Sequence, residues 1–180
     1  MISATAPRTV SARMRHLSLA IAFGLIMGMM PIGFGTALGA TLTVNSTSDG
    51  SDTNPGNGVC ETSTPGECTL RAAIEEANAL TGSDTIHFNI PTGDSGYSSS
   101  PLSWTIGPAS AYDDITQSVT IDATTQPGFT GDPIIQLDGS DPGAAGATAA
   151  LTLEANNSLI EGFIIHSWLD EGLEIDASTG

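Results

Sequence analysis

The chain has 180 residues, and its charged side chains are almost all acidic. Twenty Asp and Glu stand against four Arg, which gives a formal charge of −16, and the sequence contains no Lys. Such a surface repels phosphate backbones, which argues against nucleic acid as a partner. It also repels anionic membranes and acidic polysaccharides unless cations bridge the two surfaces.

The first 40 residues have the layout of a secretory signal. Three arginines form a basic start, and residues 17–40 are uncharged, mostly apolar and end in small side chains. This pattern predicts cleavage after Gly39 or Ala40 and export from the cell, to the medium or the cell surface. The alternative is an uncleaved anchor, because the apolar stretch reaches membrane-spanning length. In either case the signal segment is the predicted contact with a membrane.

The loop that follows the first short strand is the best candidate for a metal site. Residues 41–180 hold all twenty carboxylates against one arginine, a formal charge of −19, which suits either solubility outside the cell or calcium binding. The spacing departs from the twelve-residue calcium loop, so a solvated turn loop is the alternative. The oxygen ligands predicted for calcium, the one cofactor considered, are Asp49, Asp52, Asn54 and Asn57.

Cys60 and Cys68 are the two cysteines of the chain. In an exported protein such a pair indicates one disulfide. Its loop is short, so the bond is expected to fix local geometry more than it restricts the unfolded chain. A zinc site is a poor alternative, because no histidine lies near and the C-x7-C spacing fits no common zinc motif.

A short amphipathic helix is predicted over residues 69–79. Thr69 occupies the N-cap position, Gly82 marks the end, and Glu75 and Glu76 lie on the polar face. A helix of about three turns is marginal alone, so it has to pack on something. Its apolar face is formed by Leu70, Ala73, Ile74 and Ala77.

Short runs with alternating apolar residues follow the helix and predict strands separated by turns. Alternation alone leaves a sandwich, a barrel and a solenoid open. The run 156–165 favours a solenoid, because an Asn, a strand, a Gly and a second apolar triplet are typical of one coil of a parallel β-helix. The predicted strands are Thr85–Ile90, Leu102–Ile106, Ser118–Asp122, Ile134–Asp138, Ala150–Glu154, Ser158–Ile165 and Gly172–Asp176.

The segment Cys68-Thr69-Leu70-Arg71-Ala72-Ala73 resembles the CSLREA motif of bacterial secreted right-handed parallel β-helix proteins. Thr replaces the usual Ser, and Ala stands where Glu is usual. Flanking runs extend the likeness over most of residues 41–175. The resemblance implies an all-β fold, a right-handed parallel β-helix (solenoid) with an N-terminal capping α-helix. The implied organisation is a signal peptide at 1–40, an N-terminal cap at 41–90, and the first coils of a truncated solenoid at 91–180.

An open solenoid end exposes strand edges and apolar core, and a cap has to cover them. The predicted cap residues are Thr69, Leu70, Arg71 and Ile74, with Arg71 expected to pair with a carboxylate or with loop carbonyls. The histidines at 87 and 166 are interpreted as packed or surface residues and not as ligands. The tryptophans at 104 and 168 could stack on sugars, but filling the core or covering a sheet edge is the favoured interpretation.

Two hypotheses about function follow. The favoured one is a non-catalytic exported or cell-surface module, structural, adhesive or matrix-binding, with extracellular polysaccharide or surface components as partners. The alternative is the N-terminal part of a polysaccharide lyase or hydrolase whose active site lies beyond residue 180. A hydrolase needs two carboxylates across the scissile bond. Asp122 and Asp138 could form such a pair on successive coils, but turn-forming aspartates at strand ends are the simpler interpretation.

Overall fold

The computed structural model describes residues 38–140 and 149–176, so the predicted signal peptide lies almost wholly outside the described residues. Within these ranges the structure has one α-helix, α1 (Leu70–Ala79), a 3-10 helix at Ala123–Thr125, and ten strands. The strands are β1 (Thr41–Val44), β2 (Asp84–Phe88), β3 (Tyr97–Ser99), β4 (Leu102–Ile106), β5 (Val119–Asp122), β6 (Ile135–Asp138), β7 (Ala149–Leu153), β8 (Leu159–Glu161), β9 (Phe163–His166) and β10 (Glu171–Ile175).

The predicted helix is confirmed, and its capping chemistry explains where it begins. The Thr69 hydroxyl accepts a hydrogen bond from the Ala72 N–H at 3.0 Å, which satisfies one of the free amides of the first turn. The helix ends at Leu80, whose N–H donates to the Glu76 carbonyl at 3.1 Å. The apolar face of α1 joins the same buried cluster as Leu42 and Val44 of β1, so the helix packs beside the first strand.

The strands form three small sheets. One is entirely parallel, in the order β1-β2-β5-β8; a second has the order β3-β4-β6-β9; the third pairs β7 with β10 in parallel. Register in the first sheet aligns Leu42 with Ile86, Ile86 with Ile121, and Ile121 with Ile160. Each strand therefore turns the same aliphatic row toward the core, which is the pattern that fixes register in a half-buried sheet.

The expected all-β right-handed parallel β-helix with an N-terminal capping helix is wrong. Strands lie in separate small sheets, one of which is mixed, and with α1 they make an α/β-like arrangement; residues 38–140 and 149–176 show no closed solenoid. The antiparallel pair is β3–β4. These strands are joined by Ser100 and Pro101 alone, and a parallel pair needs a connection of a dozen residues or more. The alternation of apolar residues predicted the strands and their buried faces, but it did not predict which strands pair with each other.

The buried core is formed mainly by α1 and the strands β1, β2, β4, β5 and β6. Trp104 of β4 is 2% exposed, and its indole N–H donates to the Pro91 carbonyl at 3.1 Å, so the packing role expected for this residue is confirmed. Burial declines toward the last strand of every sheet, where Leu159, Leu173 and Ile175 are exposed. Across the part of the chain that the structure describes, no helix has the length and apolarity needed to cross a bilayer.

Candidate functional site

The predicted disulfide is present between Cys60 and Cys68, whose Cα atoms lie 5.3 Å apart. It closes the loop that leads into α1. A second tie lies beside it: the Cys68 N–H donates to the Asn45 side chain and the Asn45 N–H donates to the Cys68 carbonyl, each at 2.9 Å. The end of β1 and the start of α1 are thus fixed to each other. A structural disulfide is compatible with an extracellular protein.

Arg71 lies at a junction of three chain segments and is 7% exposed. Its guanidinium forms a two-pronged pair with Asp49, with Nε to Oδ1 at 2.9 Å and Nη2 to Oδ2 at 3.0 Å. The same group donates to the carbonyls of Ser110 and Ala111, at 2.9 and 2.8 Å. The sequence predicted either a carboxylate or loop carbonyls as partners, and the structure provides both. Such a planar fork suits Arg and not Lys.

Tyr112 completes this junction. The Arg71 guanidinium carbon lies 4.9 Å from the centre of the Tyr112 ring, a cation–π contact. Burial, together with the nearby negative charge of Asp49, raises the pKa of the Tyr112 phenol, against the opposing effect of Arg71. The phenol therefore stays neutral, and its oxygen has no hydrogen-bond partner among the described residues.

The two glutamates of α1 anchor the loop before the disulfide, which the sequence did not indicate. Glu76 was expected on the polar face but is fully buried, and its carboxylate accepts the N–H groups of Gly56 and Gly58. Glu75 accepts the Asp52 N–H at 2.6 Å. Both glycines have positive φ, 92° and 86°, a conformation that favours residues without a Cβ. The Gly-Asn-Gly sequence was the one local feature from which a turn with its amides directed at an acceptor could have been predicted.

Three of the four side chains predicted to bind calcium accept hydrogen bonds from the protein itself. Asp49 is paired with Arg71 and also accepts the Ala109 N–H at 2.8 Å. Asp52 accepts amides of Asn54 and Glu61, and Asn57 accepts that of Val59. A cation at Asp49 would face the guanidinium, so Asp49 does not fit the ion. Within 38–140 and 149–176 no three His, Cys, Asp or Glu side chains are grouped to hold a metal.

An open pocket of about 510 Å³ lies between the disulfide loop and the turn after β2. Its walls combine polar and apolar surface and include two carboxylates, Glu67 and Asp94, that come from segments 27 residues apart in the sequence. The lining residues are Asn45, Ser46, Pro65, Gly66, Glu67, Asn89, Pro91 and Asp94.

Neighbouring buried hydroxyls hold the two pocket carboxylates. Glu67 accepts the Thr62 hydroxyl at 2.6 Å and the Ser46 hydroxyl at 3.0 Å. The Thr62 bond is the main reason that the pKa of Glu67 lies below its ordinary value, with burial acting the other way. At Asp94 burial raises the pKa, but donation from the Thr47 hydroxyl and from the amides of Gly96 and Thr47 outweighs it, so the pKa is lowered.

The aspartates considered as a hydrolase pair lie in different sheets, Asp122 in β5 and Asp138 in β6. Each accepts the backbone amide two residues later, from Thr124 at 2.9 Å and from Ser140 at 3.0 Å. These are the local hydrogen bonds of turn-forming aspartates. The structure therefore assigns both side chains to turns at strand ends.

No family model, curated protein or solved structure matches this chain. The resemblance to the CSLREA motif stays a prediction, and function has to be argued from the geometry of the residues themselves.

Proposed function

We propose that this chain is an exported, non-catalytic module that binds extracellular polysaccharide or other surface components through the open pocket beside its disulfide loop. The observation that carries the proposal is the state of the two pocket carboxylates. Glu67 and Asp94 each accept hydroxyl hydrogen bonds that lower their pKa. Both are therefore ionised, fixed acceptors at neutral pH.

Lowered pKa values make both carboxyl groups unsuited to the role of general acid. A general acid must hold a proton near the operating pH, and enzymes raise the pKa of a carboxyl group to achieve this. The pocket does the opposite. A carboxylate has about four acceptor sites, so Glu67 and Asp94 keep sites for ligand hydroxyl groups beyond those that protein donors use. Hydrogen bonds to charged groups stabilise by about 1.5–3 kcal/mol each.

The pocket is held in shape before any ligand arrives. Ser46 and Thr47 are adjacent, buried, and donate to different carboxylates, so a single stretch of backbone positions both acceptors. The facing wall belongs to the loop closed by the disulfide and fixed to Asn45. Binding to such a surface loses little conformational entropy, which favours affinity.

Charge defines the ligand class. The pocket presents carboxylates on a chain whose residues 41–180 carry −19. Neutral glycans offer hydroxyl donors and amino sugars add a cation, so both complement the pocket. Uronate-rich polymers are repelled unless a divalent cation bridges the two carboxylate sets.

The test is equilibrium binding of the mature protein to neutral, amino-bearing and uronate oligosaccharides, the last with and without calcium. Loss of one charged acceptor should weaken binding about 10- to 100-fold in Glu67→Gln and in Asp94→Asn. Glu171→Gln, an exposed change in β10 with the same loss of charge, should change affinity less than twofold. Equal losses in all three variants, or no binding by the unmodified protein, would contradict the pocket assignment.

The same mixtures test the non-catalytic part of the proposal. Oligosaccharide is incubated with the protein and analysed for new reducing ends and for unsaturated products. We expect intact ligand. Turnover that disappears in Glu67→Gln or Asp94→Asn would show that the pocket catalyses, and the proposal would then be wrong.

A further inference from the structure

Asp84, the first residue of β2, has a buried carboxylate of which one oxygen lacks a hydrogen-bond partner among the described residues. The residue is 1% exposed, and its Oδ1 accepts the Ala40 N–H at 2.7 Å. Its Oδ2 is buried and has no hydrogen-bond partner among the described residues. Burying a charged group without pairing it is costly, so an unpaired oxygen of this kind calls for a missing donor.

The chain has little with which to neutralise this carboxylate. Arg71 is the one Arg or Lys in residues 41–180, and it is engaged by Asp49. The atom that already contacts Asp84 is the Ala40 nitrogen, and it belongs to the residue just after one of the two predicted signal-cleavage sites.

We propose that the signal segment is removed by hydrolysis of the Gly39–Ala40 bond, and that the new α-ammonium of Ala40 forms a partly buried ion pair with Asp84. The reaction consumes one water. The C–N bond breaks, the water oxygen joins the Gly39 carbonyl carbon to form a carboxylate, and the Ala40 nitrogen takes up protons to become an ammonium. The catalyst is a signal peptidase of the export pathway.

Hydrolysis supplies the missing donors. The amide nitrogen of Ala40 has one hydrogen, which is used on Oδ1, whereas an ammonium has three. One can stay on Oδ1 while another reaches Oδ2. The partner residue is held in place from the other side, because the Ala40 carbonyl accepts the Thr85 N–H at 2.8 Å. Ala40 is thus fixed beside β2 by both of its backbone polar groups.

The contact selects one of the two cleavage sites. Cleavage after Ala40 would remove the nitrogen that bonds to Asp84, so the signal ends at Gly39 and the predicted boundary at residue 40 moves by one. Leu38 is 90% exposed, and Gly39 is exposed, so the chain on the N-terminal side of the bond lies at the surface. A Cβ at position 39 would lie 1.7 Å from the Ser83 carbonyl oxygen, so the folded chain accepts glycine there. A small residue is also what the cleavage site requires.

The inference rests on the export half of the proposed function, and its test has one part that depends on export and one that does not. In the first part, the protein is secreted from a bacterial host with its own signal, and the N-terminus is identified by mass spectrometry. We expect Ala40. A first residue at any other position, or an uncleaved signal, would overturn the assignment of the processing site.

In the second part, chains beginning at Ala40 and at Gly39 are released from a fusion without extra residues, and their stabilities to urea are compared. Retaining Gly39 should lower the folding equilibrium constant at least tenfold, because it removes the partly buried ammonium. In the Asp84→Asn background the same extension should change it less than twofold. Equal effects in both backgrounds, or none, would overturn the ion pair.

Acetylation of the Ala40 amine covers the case in which Asp84→Asn does not fold. The acetyl group keeps one N–H and removes the charge, so it should reproduce the tenfold loss. Unchanged stability after acetylation would overturn the proposal. Neither the stability comparison nor acetylation involves the pocket or a glycan, so failure of ligand binding and failure of the ion pair are separate results.

Discussion

Replacing Arg71 by Met tests the junction that links the loop after β1, α1 and the segment before β5. Methionine keeps an unbranched apolar stem of similar length and removes the guanidinium. The change leaves the carbonyls of Ser110 and Ala111 without the guanidinium donor, and it leaves the Asp49 carboxylate, 16% exposed, with the Ala109 N–H but no cation. Removing one partner of a buried pair costs about 3–5 kcal/mol. The cost is large against a total stability of about 5–15 kcal/mol for a typical domain.

Urea unfolding of the mature protein at low temperature measures this loss, and three companion variants locate its cause. Arg71→Lys keeps the charge but not the fork, so it should lose an intermediate amount. Asp49→Asn should lose less than Arg71→Met, because the two carbonyls keep their donor. The double variant Arg71→Met with Asp49→Leu should recover part of the loss, because no charge is left buried. A loss below about 1 kcal/mol for Arg71→Met, or full stability of Arg71→Lys, would refute the reasoning.

Three further predictions concern the same region. Replacing Cys60 and Cys68 by Ser should lower stability by about 2–3 kcal/mol, seen as a fall in melting temperature, and an unchanged Tm would contradict a stapling role. Glu76→Gln should destabilise by about 2 kcal/mol or more in urea unfolding, because one of the two loop amides loses its acceptor; a neutral result would mean that the loop does not depend on it. Glu67 and Asp94 have folded pKa values below the ordinary 4.5 and 3.8, so their stabilising effect is complete above those values and is lost as pH falls through the lower folded pKa. Stability should therefore decline in that acid window, and the double change Glu67→Gln with Asp94→Asn should flatten the decline.

Strand positions were predictable from the sequence, whereas the arrangement of sheets was not. Alternation of apolar residues located Leu102–Ile106 to the residue and the other predicted strands to within two residues at either end, except that the predicted strand Ser158–Ile165 is divided at Gly162 into β8 and β9, which belong to different sheets. The short strand Tyr97–Ser99 was missed, because it carries one large apolar residue and no alternation. Its antiparallel pairing with β4 follows from a two-residue connection, a fact about the turn that periodicity does not report. The solenoid was predicted by extending the pattern of one apparent coil to the whole chain. The structure has separate sheets instead.

Some contacts at the site could also be predicted from the sequence, and others could not. The N-cap at Thr69, the disulfide and the pairing of Arg71 with a carboxylate depend on local sequence or on a single unpaired charge, so they could be anticipated. The burial of Glu76 and the pairing of Ala40 with Asp84 join residues 18 or more positions apart. Such contacts depend on how the loop and the sheets pack, which residue spacing does not predict. The pocket was missed for the same reason.

A crystal structure of the mature protein soaked with the oligosaccharide that binds best would test the central claim most directly. The account predicts sugar hydroxyls within hydrogen-bond distance of the Glu67 and Asp94 carboxylates, with Ser46 and Thr47 unmoved. Sugar bound elsewhere on the molecule, with the pocket vacant and the affinity unchanged in Glu67→Gln, would contradict it.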